Sequence, residues 1–415
     1  MELNPGDTAW MLAATALVLF MTPGLALFYG GMVRGKNVLG MLMQNIFAMG
    51  LLAVLWLAVA FSLSFGAAGN EGFIGNFDYF WMKDVGPALS NQSFFVGAGL
   101  AIPFVLFAAY QMTFAIITPA LITGATADRL KFGSYAVFIG VWLVLVYSPI
   151  AHMVFGGGWL AAQGALDFAG GAVVHMNAGA AALAVVLIIG RRKGYPDTPM
   201  PPHNLPMTVL GTGILWFGWA GFNAGSALAA NGVAGQAIMN TFAAASAAML
   251  GWLIVERLKD GHATTLGGAS GAVAGLVAIT PCAGFVGGMA PIYIGLIAGA
   301  VCYLALGIKK AFGFDDSLDV IAVHLVGGLA GALLLGLFAD SAINPVVTNE
   351  GLFLGGGTSL LADQALASVV TLAYSFVVSL IIAKAIDLTL GLRVSEEDED
   401  TGLDLSQHAE VAYAD

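Results

Sequence analysis

Charge is what this sequence has least of. Asp, Glu, Lys and Arg make up 9% of its 415 residues against 59% hydrophobic residues, and the mean hydropathy is +0.88. Soluble domains carry roughly 25% charged residues, so the solvent for most of this chain is lipid and a set of soluble domains is excluded. Cysteine is nearly absent. Cys282 and Cys302 fall in separate apolar stretches without paired spacing, which excludes a disulfide framework or a cysteine metal site. A basic leader is missing too: residues 1–7 are acidic and the first apolar stretch is long enough to span, so the first span is expected to be retained. The chain also lacks a paired nucleophile and base, a phosphate loop and a metal cluster. Neither an enzyme nor a nucleic-acid binder is expected, and no cofactor.

What the chain has in abundance is apolar stretches of spanning length, about 20 residues each. Eleven are expected, over 8–31, 38–66, 94–124, 132–152, 168–190, 205–226, 234–255, 266–284, 290–308, 318–339 and 363–392. Positive residues stay cytoplasmic near span ends, and twelve of the fourteen Lys and Arg residues follow odd-numbered spans, from Arg34 and Lys36 to Arg393. The expected fold is therefore an all-α integral membrane protein of eleven transmembrane helices, N-terminus outside and C-terminus inside. Residues 1–392 form the membrane domain and 393–415 a cytoplasmic tail. That tail carries eight acids and no Lys or Arg from Glu396 onward, so much of the net charge of −11 belongs to it.

Glycine is frequent, 56 residues in all. In span eight it recurs as Gly267, Gly271 and Gly275, a spacing that lets helix backbones approach closely in lipid. A second pattern bears on function. Asp167, His175 and Gly179 in span five have the same spacing as Asp316, His324 and Gly328 in span ten, with Val before each histidine. Span five runs inward and span ten outward, so the halves, about 8–190 and 205–339, are expected to form an inverted 5+5 repeat with a final helix appended. In such repeats the functional site lies near the midplane.

An ionisable residue inside a span is costly and marks a functional site when it faces the bundle interior. A desolvated imidazole favours its neutral form and offers one donor and one acceptor. Two facing imidazoles can line a narrow path for a small polar solute, or pass a proton. Zinc is disfavoured, because it needs three or four protein ligands and each aspartate lies about 12 Å along a helix from its histidine. Of the other histidines, His152 is expected to pack or cap, and His203, His262 and His408 to be solvated.

The segments Pro23 to Val38 (PGLALFYGGMVRGKNV), Ala165 to Ala180 (ALDFAGGAVVHMNAGA), Trp219 to Ala227 (WAGFNAGSA) and Asp319 to Gly328 (DVIAVHLVGG) together resemble the bacterial Amt branch of the Amt/Rh ammonium transporter family, from about residue 6 to the end. The resemblance implies an ammonium transporter of the inner membrane, eleven spans, and a homotrimer with one pore per subunit. It implies that Phe114 and Phe222 close the outer mouth and that His175 and His324 line the pore. Ser226, Phe114 and Phe155 would recruit the ion, and Asp167 would stabilise that site through the backbone. Phe155 stands where a Trp is usual, with Trp159 four residues on, and Tyr110 stands where a Phe is common. The tail resembles the family's docking segment for a PII-type signal protein, against the bland reading of a solvated acidic tail. The resemblance leaves two alternatives to transport open, a passive gas channel of the Rh type and an ammonium sensor acting through the tail.

Overall fold

A computed structural model describes residues 2–67, 72–89 and 100–413. Among them the chain is all-helical, with no strand beyond one isolated bridge between Leu130 and Arg393. Ten helices are long and apolar enough to cross a membrane: α1 Pro5–Met32, α2 Gly35–Phe65, α3 Phe104–Thr126, α4 Phe132–Ala162, α5 Gly171–Ile189, α6 Leu205–Ala224, α7 Gly232–Asp260, α9 Ala290–Phe312, α10 Ile321–Phe338 and α11 Ser359–Thr389. An eleventh apolar helix, α8 Thr265–Ile279, is shorter. It starts at a Thr264 cap, and its small residues press on α7. A methyl on Gly275 would lie 2.5 Å from the Ala244 carbonyl oxygen, and one on Gly271 2.6 Å from Trp252.

Local chemistry sets the ends. Asn4 caps α1 ahead of Pro5, Asn204 caps α6, Asn231 caps α7, and left-handed Gly261 stops it. Side-chain caps supply acceptors to the free N–H groups of a first turn, and glycine takes left-handed geometry without a Cβ clash. Most expected boundaries shift by a few residues, the seventh ending at Asp260 and the eighth at Ile279, each five residues from expectation; three of the shifts have a visible cause. The third helix starts at Phe104 behind Pro103, whereas residues 94–99 of the expected span lie outside those described. The fourth continues past residue 152 through a turn at 155–158. The fifth starts at Gly171, not 168, because Asp167 stands ahead of the helix as its cap.

Charged groups gather on one face of the molecule. Asp128 accepts from Arg34 at 2.9 Å and Asn37 at 2.5 Å, and Arg192 pairs with Asp315 at 2.9 Å. Arg129 is fully buried and donates to the carbonyls of Ala127, Gly190 and Asp315 and to Ser317. A buried guanidinium is tolerated because four of its five N–H donors find acceptors. The acidic tail is ordered on this same face. Two short helices, α12 Glu396–Thr401 and α13 Leu403–His408, are tied down by Arg393 to Glu399 at 2.5 Å, Lys193 to Asp400 at 2.6 Å, and the Gly40 N–H donating to Asp404. His203, expected to be solvated, lies between the Val33 carbonyl and the Tyr413 hydroxyl.

Candidate functional site

Two helices bring aromatic side chains to one point. Phe114 of α3 and Phe222 of α6 pack with ring centroids 4.4 Å apart, and Tyr110 sets its ring edge-on to Phe114 at 5.0 Å. Both phenylalanines are buried. Phe222 sits in a π-helical turn, Ala220–Ala224, that closes α6. Wide turns of this kind re-aim side chains and recur at functional sites. Ser226 follows two residues later, and its hydroxyl donates to the Phe222 carbonyl at 2.9 Å. The Tyr110 hydroxyl lies 2.8 Å from that same carbonyl and 3.2 Å from the Ser226 oxygen. The hydroxyl of Tyr110, where a Phe was expected from the resemblance, thus fastens α3 to the α6 turn.

At Ser226 opens a cavity of about 250 Å³, lined also by Phe168, Phe285, Asp7, Asn231 and Asn344 among others, but by neither Phe114 nor Phe222. A separate constriction of about 10 Å³ runs between Phe222 and the two histidines, walled mainly by Leu, Val, Met and Phe side chains. The His175 ring lies 5.5 Å from Trp219, 6.0 Å from Phe222 and 5.3 Å from His324, near-parallel in each case. Trp219 is itself fixed by its indole N–H donating to Thr280 at 2.9 Å.

The histidines meet at Nδ1···Nδ1, 3.2 Å apart. A hydrogen bond there needs the proton on one ring and a lone pair on the other, so two neutral rings must adopt complementary tautomers. The His175 Nε2 is buried without a partner among the described residues. The site therefore holds one shared proton position and a polar atom facing an apolar lumen.

The Asp-His-Gly spacing resolves into one local device used twice. Asp167 accepts four N–H groups: Gly170 and Gly171 on one oxygen, Ala172 and Val173 on the other, at 2.7–3.2 Å. Asp316 accepts two, Val320 at 3.1 Å and Ile321 at 2.7 Å. Each carboxylate thus caps a π-helical turn, Gly171–Met176 or Ile321–Val326, that carries the histidine. The aspartates are caps standing before the helix, not residues eight positions along it, and the expected straight separation of Asp and His does not hold. The glycines mark where α5 and α10 cross. A methyl on Gly179 would lie 2.5 Å from the Leu325 nitrogen, and one on Gly328 3.1 Å from the Met176 nitrogen. Each glycine faces the residue that follows the other helix's histidine.

Charge distinguishes the two capping ends. At the face that carries the basic residues and the tail, burial would raise the Asp315 carboxyl, but the Arg192 hydrogen bond with Arg129 beside it holds it below its ordinary value. For its neighbour Asp316, burial and then the charge of Asp319 win over Lys309, pushing the carboxyl up to about 6.

Phe155 is buried in the turn that interrupts α4 and is not among the described residues lining the 250 Å³ cavity. Trp159 stacks on Phe73 at 5.3 Å. Among the described residues no three His, Cys, Asp or Glu side chains converge as a metal site would require. Sequence alone does not single out Asp7, Phe168 and Phe285 of the 250 Å³ cavity. They come from three segments distant in sequence and share no motif spacing, so only the fold reveals them.

Comparison with known proteins gives one answer. The model of the Ammonium Transporter Family matches residues 9–413. An ammonium transporter of Mycobacterium tuberculosis strain H37Rv is 52% identical over 431 aligned positions, covering 98% of this chain and 90% of that protein. The crystal structure of Saccharomyces cerevisiae Mep2 superposes with a TM-score of 0.88 at 35% identity, over 96% of this chain and 89% of that one. A structure described as a sensor Amt protein gives a TM-score of 0.88 at 30% identity, over 97% and 98%.

Proposed function

This chain is a multi-pass membrane protein of the ammonium transporter family, which is not a family of enzymes, and from that premise we propose that it recruits NH4+ outside, removes its proton, and conducts NH3 past His175 and His324. The observation that carries the reading is the order of the parts. A polar and aromatic cavity carries Ser226, whose hydroxyl is bonded to the Phe222 carbonyl; the Phe222 ring, packed on Phe114, in turn walls the apolar, histidine-lined constriction. Recruitment falls to Ser226 and Phe114, with Phe155 in the α4 turn as the third member of the expected set. A cation over aromatic faces gains about 0.5–2 kcal/mol. Driving a bare cation into the apolar lumen costs several kcal/mol, so the proton leaves at or before the phenylalanine pair. Asp167 acts by holding the π-helical turn that aims His175. The paired Nδ1 atoms offer the released proton a route inward; its alternative is return to the outside.

Topology follows from parity. The residues after α1, α3, α5, α9 and α11 join one hydrogen-bonded charge network through Arg34, Asp128, Arg192, Asp315 and Arg393. If α6, α7 and α9 all cross, α8 must cross as well for α9 to end on the side where α5 ends. This supports eleven crossings, and the basic residues on that face support N-terminus outside and C-terminus inside in an inner membrane. A homotrimer and docking of a PII-type protein on the tail complete the proposal.

The similarity to a sensor Amt protein and the ordered tail favour signalling as the second reading. Transient current from the purified protein in liposomes after an ammonium jump decides, with a sodium jump and a His175→Ala/His324→Ala variant as controls. A saturable, ammonium-specific current lost in the variant is expected. Ammonia flux detected by pH without current makes the protein a gas channel, and binding without flux makes it a sensor.

A further inference from the structure

The outer cavity holds one group that this recruitment scheme does not use. Asp7 lies in the first turn of α1 and lines the cavity together with Ser226. Its Oδ1 accepts the Ala230 N–H at 2.8 Å, which ties the start of α1 to the loop that follows α6. That loop carries Ser226, and just past it Leu228 takes a left-handed φ of 55°, a conformation an L residue holds only when its surroundings impose it. Among the described lining residues Asp7 is the one ionisable side chain. Its companions are aromatic rings, small apolar groups and the side-chain amides of Asn231 and Asn344. A carboxylate in a concave, weakly polarisable wall focuses its field into the cavity and raises the local concentration of cations.

We propose that Asp7 is a cation-recruiting carboxylate of the outer cavity. Its charge concentrates small monovalent cations in front of Ser226, while its hydrogen bond to Ala230 holds the Ser226 loop in place. The inference rests on the reading that ammonium enters through this cavity. Its competitor is a helix-end role: an acid in a first turn interacts favourably with the free N–H groups there, and that needs no cavity.

Two variants separate these functions. Asp7→Asn keeps an amide oxygen for the Ala230 N–H and removes the charge; Asp7→Ala removes both. Ammonium-specific current in liposomes is measured against ammonium concentration in choline chloride at about 10 mM and about 1 M, where the Debye length falls from about 30 Å to about 3 Å. At low salt Asp7→Asn is expected to raise the half-saturating ammonium concentration about threefold to tenfold, with maximal current unchanged. At high salt it should coincide with the wild type. Asp7→Ala should add a salt-independent loss, and thermal unfolding of each purified variant reports whether it is folded. An Asp7→Asn curve equal to wild type at low salt overturns the proposal. So does a shift that persists undiminished at 1 M, which a field effect cannot produce. A wild type with no saturable ammonium signal instead fails the transport reading on which the inference stands.

Discussion

The starts of α5 and α10 solve one problem with different surroundings. In both, an aspartate ahead of the helix caps a π-helical turn that carries a histidine to the constriction where the two imidazoles meet. At α5 the carboxylate spends both oxygens on four backbone N–H groups. At α10 it meets two N–H groups and shares its neighbourhood with Lys309 and Asp319, themselves paired at 2.5 Å. The first is a structural cap. The second is a cap coupled to a charged surface. Symmetry is thus kept where the two imidazoles meet and abandoned at the ends, where only the α10 end carries the charged pair Lys309 and Asp319.

The largest expected consequence is a difference in how much each cap holds. An unsatisfied buried donor costs about 1–3 kcal/mol, not additively, so Asp167→Ala should destabilise the protein by about 3–5 kcal/mol and Asp316→Ala by about 2 kcal/mol. Denaturant unfolding in detergent reads both. Equal costs would mean that Lys309 and Asp319 contribute as much at α10 as two further backbone hydrogen bonds do at α5, and the comparison would break.

A smaller effect tests the charged neighbourhood. The Asp316 carboxyl is raised to about 6, first by burial and then by Asp319. A folded state that holds its proton more tightly than the unfolded chain is favoured in acid and loses that advantage as pH rises. Stability from this group is therefore full below about pH 4, declines between about pH 4 and pH 6, and is level above. Thermal unfolding of wild type minus Asp316→Asn across that interval should show the slope, with Lys309, Asp319 and the α1 hydroxyl of Tyr29 as the groups nearby. A flat difference would mean that burial and Asp319 do not hold the Asp316 proton in the folded state.

How much of this was legible in sequence follows from which forces act locally. Spans, their order and the basic face are written in composition and charge, because lipid rejects charge residue by residue; ten of the eleven apolar stretches are helices of spanning length. The repeated Asp, His and Gly were visible as spacing. Their geometry was not, since a 3.6-residue period says nothing about a π turn, and the aspartates read as helical when they stand ahead of the helix. The outer cavity was illegible for another reason. Asp7, Phe168 and Phe285 meet only when the connections after α4, α6 and α8 fold over the start of α1.

The smallest expected effect lies at the crossing itself, where the two glycines look equivalent in sequence. A methyl at Gly179 would meet the Leu325 nitrogen and Cβ at 2.5 Å, whereas at Gly328 the nearest atoms, the Gly171 carbonyl oxygen, the His175 Cβ and the Met176 nitrogen, stand at 3.0–3.1 Å. Overpacking a tight contact costs about 1–3 kcal/mol; Gly179→Ala should fall at the upper end and Gly328→Ala about 1 kcal/mol lower. The order should reverse in function. Gly179 pushes on Leu325, one residue beyond its histidine, but a methyl at Gly328 presses directly on the His175 Cβ and so on the ring that stacks with Trp219. Gly328→Ala should therefore reduce ammonium current more than its stability loss accounts for, while Gly179→Ala loses current only in proportion to folded protein. If current in both variants simply follows the amount folded, the α5 ring tolerates displacement and the pore is less exacting than its contacts imply.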